Sequence, residues 1–175
     1  MKSIIATIPL FVILLTRLNT FAQGDNQPKN FPEIFAGIEW NSSSGLTGLS
    51  YERYIVQKNK WVFGAKATHG FAYHLENLSL FGSASEESVS FNSVTATAHK
   101  FFLRADRGFF LCSEVGLGLR EHKYFETART SFYTAFEAGL GWHFQIGDKI
   151  AIRWTNTLTF AGKGGITMTK FSAGF

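Results

Sequence analysis

The chain has 175 residues, 45% of them hydrophobic and 17% charged, with a formal charge of +4 at neutral pH. That length predicts one domain, the composition excludes a disordered tail, and a mean hydropathy near zero excludes a bundle of transmembrane helices. A single cysteine excludes a disulfide scaffold and a zinc site built from several thiolates, while 17 glycines, 16% aromatics and only 3 prolines point to short strands.

Residues 1–22 read as an address. Met1 and Lys2 make a positive start, Ile4 to Leu15 is an apolar run, and Thr20-Phe21-Ala22 sets small residues at −3 and −1 of a cut before Gln23. The run is too short for the roughly 20 residues of a spanning helix, and Arg17 stops it from extending. A cleaved signal peptide is therefore expected, with a short segment over residues 23–30 after it. No cysteine near the cut offers a site for lipidation. Losing Lys2 and Arg17 takes the formal charge from +4 to +2, and no nucleic-acid partner is implied.

From residue 31 to 175 the period is two, as in half-buried strands, with no sustained helical repeat. The predicted strands cover 33–40, 46–56, 61–73, 88–103, 109–120, 132–144, 150–160 and 166–175. Residues 109–120 are typical. Phe109, Leu111, Val115, Leu117 and Leu119 share one phase; Cys112, Glu114, Gly116, Gly118 and Arg120 share the other. The strand from 132 repeats the design, with Phe132, Phe136, Leu140, Trp142 and Phe144 against Tyr133, Glu137, Gly139, Gly141 and His143. About eight strands of this length match the ~9–11 residues of a tilted membrane-spanning strand.

The connections alternate too. Residues 57–60, 104–108 and 145–149 are short charged turns, whereas the connections between them include the longer 74–87 and 121–130, with shorter ones at 41–45 and 161–165. Short turns on one rim and longer loops on the other predict an all-β, up-and-down antiparallel transmembrane β-barrel with both termini on the short-turn, periplasmic side.

A soluble barrel would alternate as well, with its apolar phase inside. Three features favour the membrane. Aromatics stand near strand ends in the apolar phase, where interfacial girdles belong: Trp61, Phe63, Phe71, Tyr73, Trp142 and Phe144. Glycines sit in the polar phase, suiting the crowded inside of a narrow barrel. The chain closes on Phe175 at the end of a strand with no tail, an ending of no use to a soluble barrel.

The signal ending at Ala22 before Gln23, the strand pattern over 31–175 and the closing Thr169-Lys170-Phe171-Ser172-Ala173-Gly174-Phe175 resemble the small outer-membrane β-barrel proteins of Gram-negative bacteria. The cut before Gln is similar to that of secretory proteins of the Bacteroidota, where porin-like and OmpA-like barrels of this size are common. The resemblance implies an integral protein of the outer membrane, surrounded by its lipids. It also implies that Phe171 and Phe175 form a C-terminal signal read by the barrel-assembly machinery. The peptidoglycan-binding domain of OmpA-type proteins does not come after the barrel, so no cell-wall tether is carried over.

With the apolar phase facing lipid, Glu52, Lys66, Lys100, Glu114, Glu137, Arg153 and Lys170 are expected to point inward as a polar network filling the lumen. Eight strands leave an interior that side chains fill, and open aqueous channels belong to barrels of roughly 16 strands or more. Catalysis is not expected. Some small outer-membrane barrels modify lipid A with a Ser and a His; here His69, His74, Ser79 and His122 are dispersed, with no His-x-Ser pair on a strand and no complete nucleophilic constellation. No metal-ligand spacing, cofactor loop or credible phosphate cradle occurs. Cys112 reads as a buried structural thiol, and Asn41-Ser42-Ser43 and Asn77-Leu78-Ser79 as loop composition. The expected role is structural or surface-interacting, through an unknown partner of the longer loops. A narrow pore or secretion-associated barrel is the first alternative, a lipid A-modifying enzyme the second.

Overall fold

The computed structural model describes residues 30–40, 44–74, 88–103, 107–124, 127–146, 150–161 and 164–174. Its strands are β1 (Asn30–Glu39), β2 (Ser44–Lys58), β3 (Trp61–His74), β4 (Ser88–Phe101), β5 (Gly108–Tyr124), β6 (Thr127–Ile146), β7 (Ile150–Ala161) and β8 (Gly164–Gly174). Each pairs antiparallel with the next and β8 returns to β1, closing an eight-stranded up-and-down barrel. Closure satisfies the ladder on both sides of every strand and is what allows strands to cross lipid.

Alternation orients the wall. Leu49, Val115, Leu117, Leu158 and Phe171 lie exposed on the outside, Leu117 at 67%, while Glu52 inside is at 0%. Water-facing proteins have the reverse arrangement; an apolar outside around a polar inside is a surface made for hydrocarbon. One irregularity preserves the phase. The β2–β3 register shifts between Tyr54 and Val56, so Ile55 and Val56 are both exposed while Tyr54 stays inside. Such a bulge adds one residue to one strand. In a regular ladder Ile55 would pair with Phe63, and Val56 would turn inward opposite the buried Val62.

Pro32 pairs with Tyr51 on the β2 side, whereas the β8 side of β1 begins one residue later, at Glu33↔Gly174. The missing N–H of proline is tolerated at such an end. Gly116 marks a close approach: a Cβ there would lie 2.0 Å from the Val94 carbonyl oxygen on the neighbouring strand. Inward glycine lets the sheet coil tightly around a narrow lumen.

The expected loop over 121–130 is a correction. Pairing of β5 with β6 continues through Glu121↔Thr130 to Tyr124↔Thr127, so this segment extends the hairpin. Thr127, Thr130 and Thr134 supply β-branched side chains to β6, and a strand end rich in polar residues resembles a loop only when composition is read without its pairing. Residues 1–29, 41–43 and 75–87, which hold Ser79 and both glycosylation-like motifs, lie outside the described residues, as does Phe175.

Candidate functional site

The lumen has two storeys. At the short-turn end, Tyr54, Val62, Phe101, Phe110 and Cys112 form a buried cluster against which Phe31 packs. The rings are in contact, with centroids 4.8 Å apart for Phe31 and Tyr54 and 5.1 Å for Phe101 and Phe110. His143 meets the edge of Phe31 at 5.6 Å, and His99 meets Phe110 at 5.4 Å. Aromatic side chains from β1, β2, β4 and β5 thus close this end of the tube.

A charged layer lies on that seal. Arg153 donates to Glu52 at 2.7 Å and to the Tyr54 hydroxyl at 2.8 Å, and lies 3.2 Å from Glu33. The second oxygen of Glu52 is 2.6 Å from His99 Nε2. Ser50 and Ser172 donate to Glu33. Every member is buried or nearly so, and each carboxylate has several donors, the condition under which enclosed charges are tolerated. There are two further pairs. Lys66 donates to Glu114 at 2.9 Å, with Thr95 donating to the other oxygen; Lys170 pairs with Glu137.

These pairs line a cavity of about 310 Å³ whose wall continues past Phe35, Leu46 and Phe91 to Glu39, Ala72 and His122 at the ends of the strands opposite the short turns. The barrel is a cup: sealed and aromatic at one end, charged at its floor, hollow above. Among the described residues no three His, Cys, Asp or Glu side chains converge as a metal site.

Of the residues expected in the interior network, Glu52 meets Arg153, Lys66 meets Glu114 and Glu137 meets Lys170. Lys100 does not join them. It stands in the outward phase with its ammonium 4.9 Å from the centre of the Trp61 ring. The reason is Phe101: the aromatic seal draws it and His99 inside, so the residue between them faces out, where a long stem can reach the membrane rim and a cation can rest on an indole face. Two network members were missed. Glu33 shares the phase of Phe35 and stands opposite Ser50, and His99 shares the phase of Thr95 and Thr97. Strict alternation on β1 and β4 would have found both.

Trp61, Phe63, Phe71, Tyr73, Trp142 and Phe144 are all exposed on the outer wall. Trp61 stacks on Phe63 and Trp142 on Phe144, each at 5.8 Å, beside the short turns. Phe171 is exposed on the outside of β8. His69 also faces outward, its Nδ1 2.8 Å from the Asn92 side-chain oxygen, and Cys112 is buried in the inward phase.

No family model matches the sequence, and no curated protein matches it significantly. Solved structures do. The N-terminal β-barrel domain of Pseudomonas aeruginosa OprF superposes with a TM-score of 0.59 at 14% identity, over 85% of this chain and 98% of that one. The fold is that of an eight-stranded outer-membrane β-barrel. Weaker likenesses, both with a TM-score of 0.49 and 13% identity, are to Ail, the attachment invasion locus protein of Yersinia pestis, and to Neisserial surface protein A. They cover 83% of this chain, and 96% and 91% of those proteins. At 14% identity the likeness to the OprF barrel shows the fold alone.

Proposed function

We propose that the protein is exported with residues 1–22 removed, is inserted by the barrel-assembly machinery, and resides in the outer membrane of a Gram-negative, Bacteroidota-type envelope as a plugged barrel. Its work is structural or surface-interacting: the wall anchors the chain in outer-membrane lipid, and the end opposite the short turns meets a surface partner. The observation that carries this reading is the aromatic seal of Phe31, Tyr54, Phe101 and Phe110 across the lumen. These rings meet beneath the charged layer where a pore would need an opening, which argues against the narrow pore.

Catalysis has little support. His99 pairs with Glu52 inside the buried charged layer and His69 with Asn92 on the outer wall, so the two rings serve different faces of the barrel and form no shared site.

The test is direct. Purified barrel added to planar bilayers is expected to produce no conductance steps, while the same sample shifts its gel mobility on boiling, as closed barrels resistant to detergent do. Stable unitary conductance would overturn the plug and favour the pore. Altered lipid A masses in cells expressing the protein would favour the enzyme.

A further inference from the structure

Lys58, Trp61 and Lys100 stand side by side on the outer wall at the short-turn end. Lys58 on β2 pairs with Trp61 on β3, and Trp61 pairs in turn with Lys100 on β4. Trp61 is 41% exposed while Val62 beside it is fully buried, so this row belongs to the outward phase. Lys60 sits just beyond it in the turn, its ammonium 2.8 Å from the Phe102 carbonyl oxygen. One step toward the middle of the wall, the outward residues on the same three strands are Val56, Phe63 and Ala98. A row of cations thus borders an apolar row, and the stacked rings of Trp61 and Phe63 join the two.

The charge of this row is not balanced by protein. Among the described residues no carboxylate pairs with Lys58, Lys60 or Lys100, and the carboxylates that lie toward this end, Glu33 and Glu52, are inside with Arg153. Lys58 and Lys100 are two strands apart, about 10 Å at the backbone, within the joint reach of two flexible four-carbon stems. Lys100 already leans inward along the row, with its ammonium 4.9 Å from the centre of the Trp61 ring that lies between them. Like charges gathered at the edge of hydrocarbon repel until an anion joins them.

The anion that a membrane rim supplies is a lipid phosphate. We propose that Lys58, Lys60 and Lys100, with Trp61 and Phe63, form a site for an anionic phospholipid. Its phosphate is shared by the ammonium groups, and its acyl chains lie along Val56, Phe63 and Ala98. A headgroup with its own cation, as in phosphatidylcholine, fits less well because that cation opposes the lysines. The proposal rests on the outer-membrane reading, which makes this rim the periplasmic leaflet, and adds to it the class of lipid and the place where it is held.

The folded full-length barrel in micelles is given phosphatidylglycerol and phosphatidylcholine in equal amounts, and the lipids it retains are counted by native mass spectrometry. Wild type is expected to retain phosphatidylglycerol in preference. A lysine near a charged lipid surface is worth about fivefold in binding, so Lys58→Gln with Lys100→Gln is expected to lower that retention at least about fivefold and to leave phosphatidylcholine unchanged. Lys123→Gln with Arg129→Gln removes the same charge from the opposite end and is expected to keep the preference. In wild type, brominated phosphatidylglycerol is expected to quench tryptophan fluorescence more than brominated phosphatidylcholine, and Trp61→Phe to abolish the difference. The boiling gel shift reports that each variant retains its barrel, and the wild-type measurements stand without any variant.

Three results would overturn the site: equal retention of the two lipids by wild type, equal loss in the two double variants, or a quenching difference that survives Trp61→Phe. Any of these from a barrel that keeps its gel shift would leave the outer-membrane reading intact. A soluble wild-type protein lacking the gel shift would remove that reading, and the site with it.

Discussion

Glu52 has no exposed surface, and three groups depend on its charge or its oxygens: Arg153, His99 and, through Arg153, the Tyr54 hydroxyl. Removing one partner of an enclosed pair strands the other, at a cost of about 3–5 kcal/mol. Glu52→Ala is expected to lose stability on that scale in urea unfolding from micelles. Glu137→Ala is expected to lose clearly less. Its partner Lys170 lies on the cavity wall with 17% of its side chain exposed, where water can solvate the ammonium left behind. Equal losses in the two variants would mean that the cavity is dry. Lys100 gives the opposite control: over the Trp61 ring and outside the network, its replacement by Met is expected to change stability by under about 1 kcal/mol.

At the scale of elements, the turns and the register carry the information. Lys58 pairs with Trp61 around Asn59 and Lys60, whose φ angles of 49° and 68° are both left-handed. A two-residue hairpin of this kind matches the twist of its strands and favours Asn before Gly. Lys60 in the second place carries a strain of about 1 kcal/mol that glycine would not. It recovers part through its ammonium, 2.8 Å from the Phe102 carbonyl oxygen. Lys60→Gly is expected to leave thermal stability unchanged or slightly raised, and Lys60→Val to lower it, because a β-branched residue fits that region worst. The opposite end of the barrel is less legible from sequence. Residues 121–130 look like a loop by composition, yet their pairing makes them the tip of the longest hairpin among the described residues.

The whole molecule inverts the ordinary distribution of polarity, and its stability is spread around a closed ladder. Removing a single residue at the chain end is therefore expected to matter little to the folded barrel. Phe171 is exposed on the outer wall of β8, and burying such a ring in lipid contributes about 1.5–3 kcal/mol. Deleting Phe175 is expected to reduce the barrel recovered in outer membranes several-fold, while urea unfolding of refolded protein changes by no more than about that amount. Normal insertion of the truncated chain would refute the assembly-signal role. An unfolding loss as large as the insertion loss would make Phe175 a structural residue.

Alternation along each strand, read with the alternating connections, pointed to a barrel of about eight strands, and with the apolar phase placed outside it gave the inward aim of Glu52, Lys66, Glu114, Glu137, Arg153 and Lys170, because a period of two is a local property of extended backbone. It misplaced Lys100 because a charge looks inward wherever both phases of a strand are mixed, as they are in Thr97-Ala98-His99-Lys100-Phe101. Only the tertiary structure decided who meets whom. Glu52 on β2 reaches Arg153 on β7, Lys66 on β3 reaches Glu114 on β5, and Glu137 on β6 reaches Lys170 on β8. None of these partners lies on an adjacent strand. Which side chains share a level across the lumen depends on closure, strand tilt and stagger, and these are set by the ring of registers as a whole. The seal at one end and the cavity above it have the same origin: they arise where strands of unequal reach are bent into one closed wall.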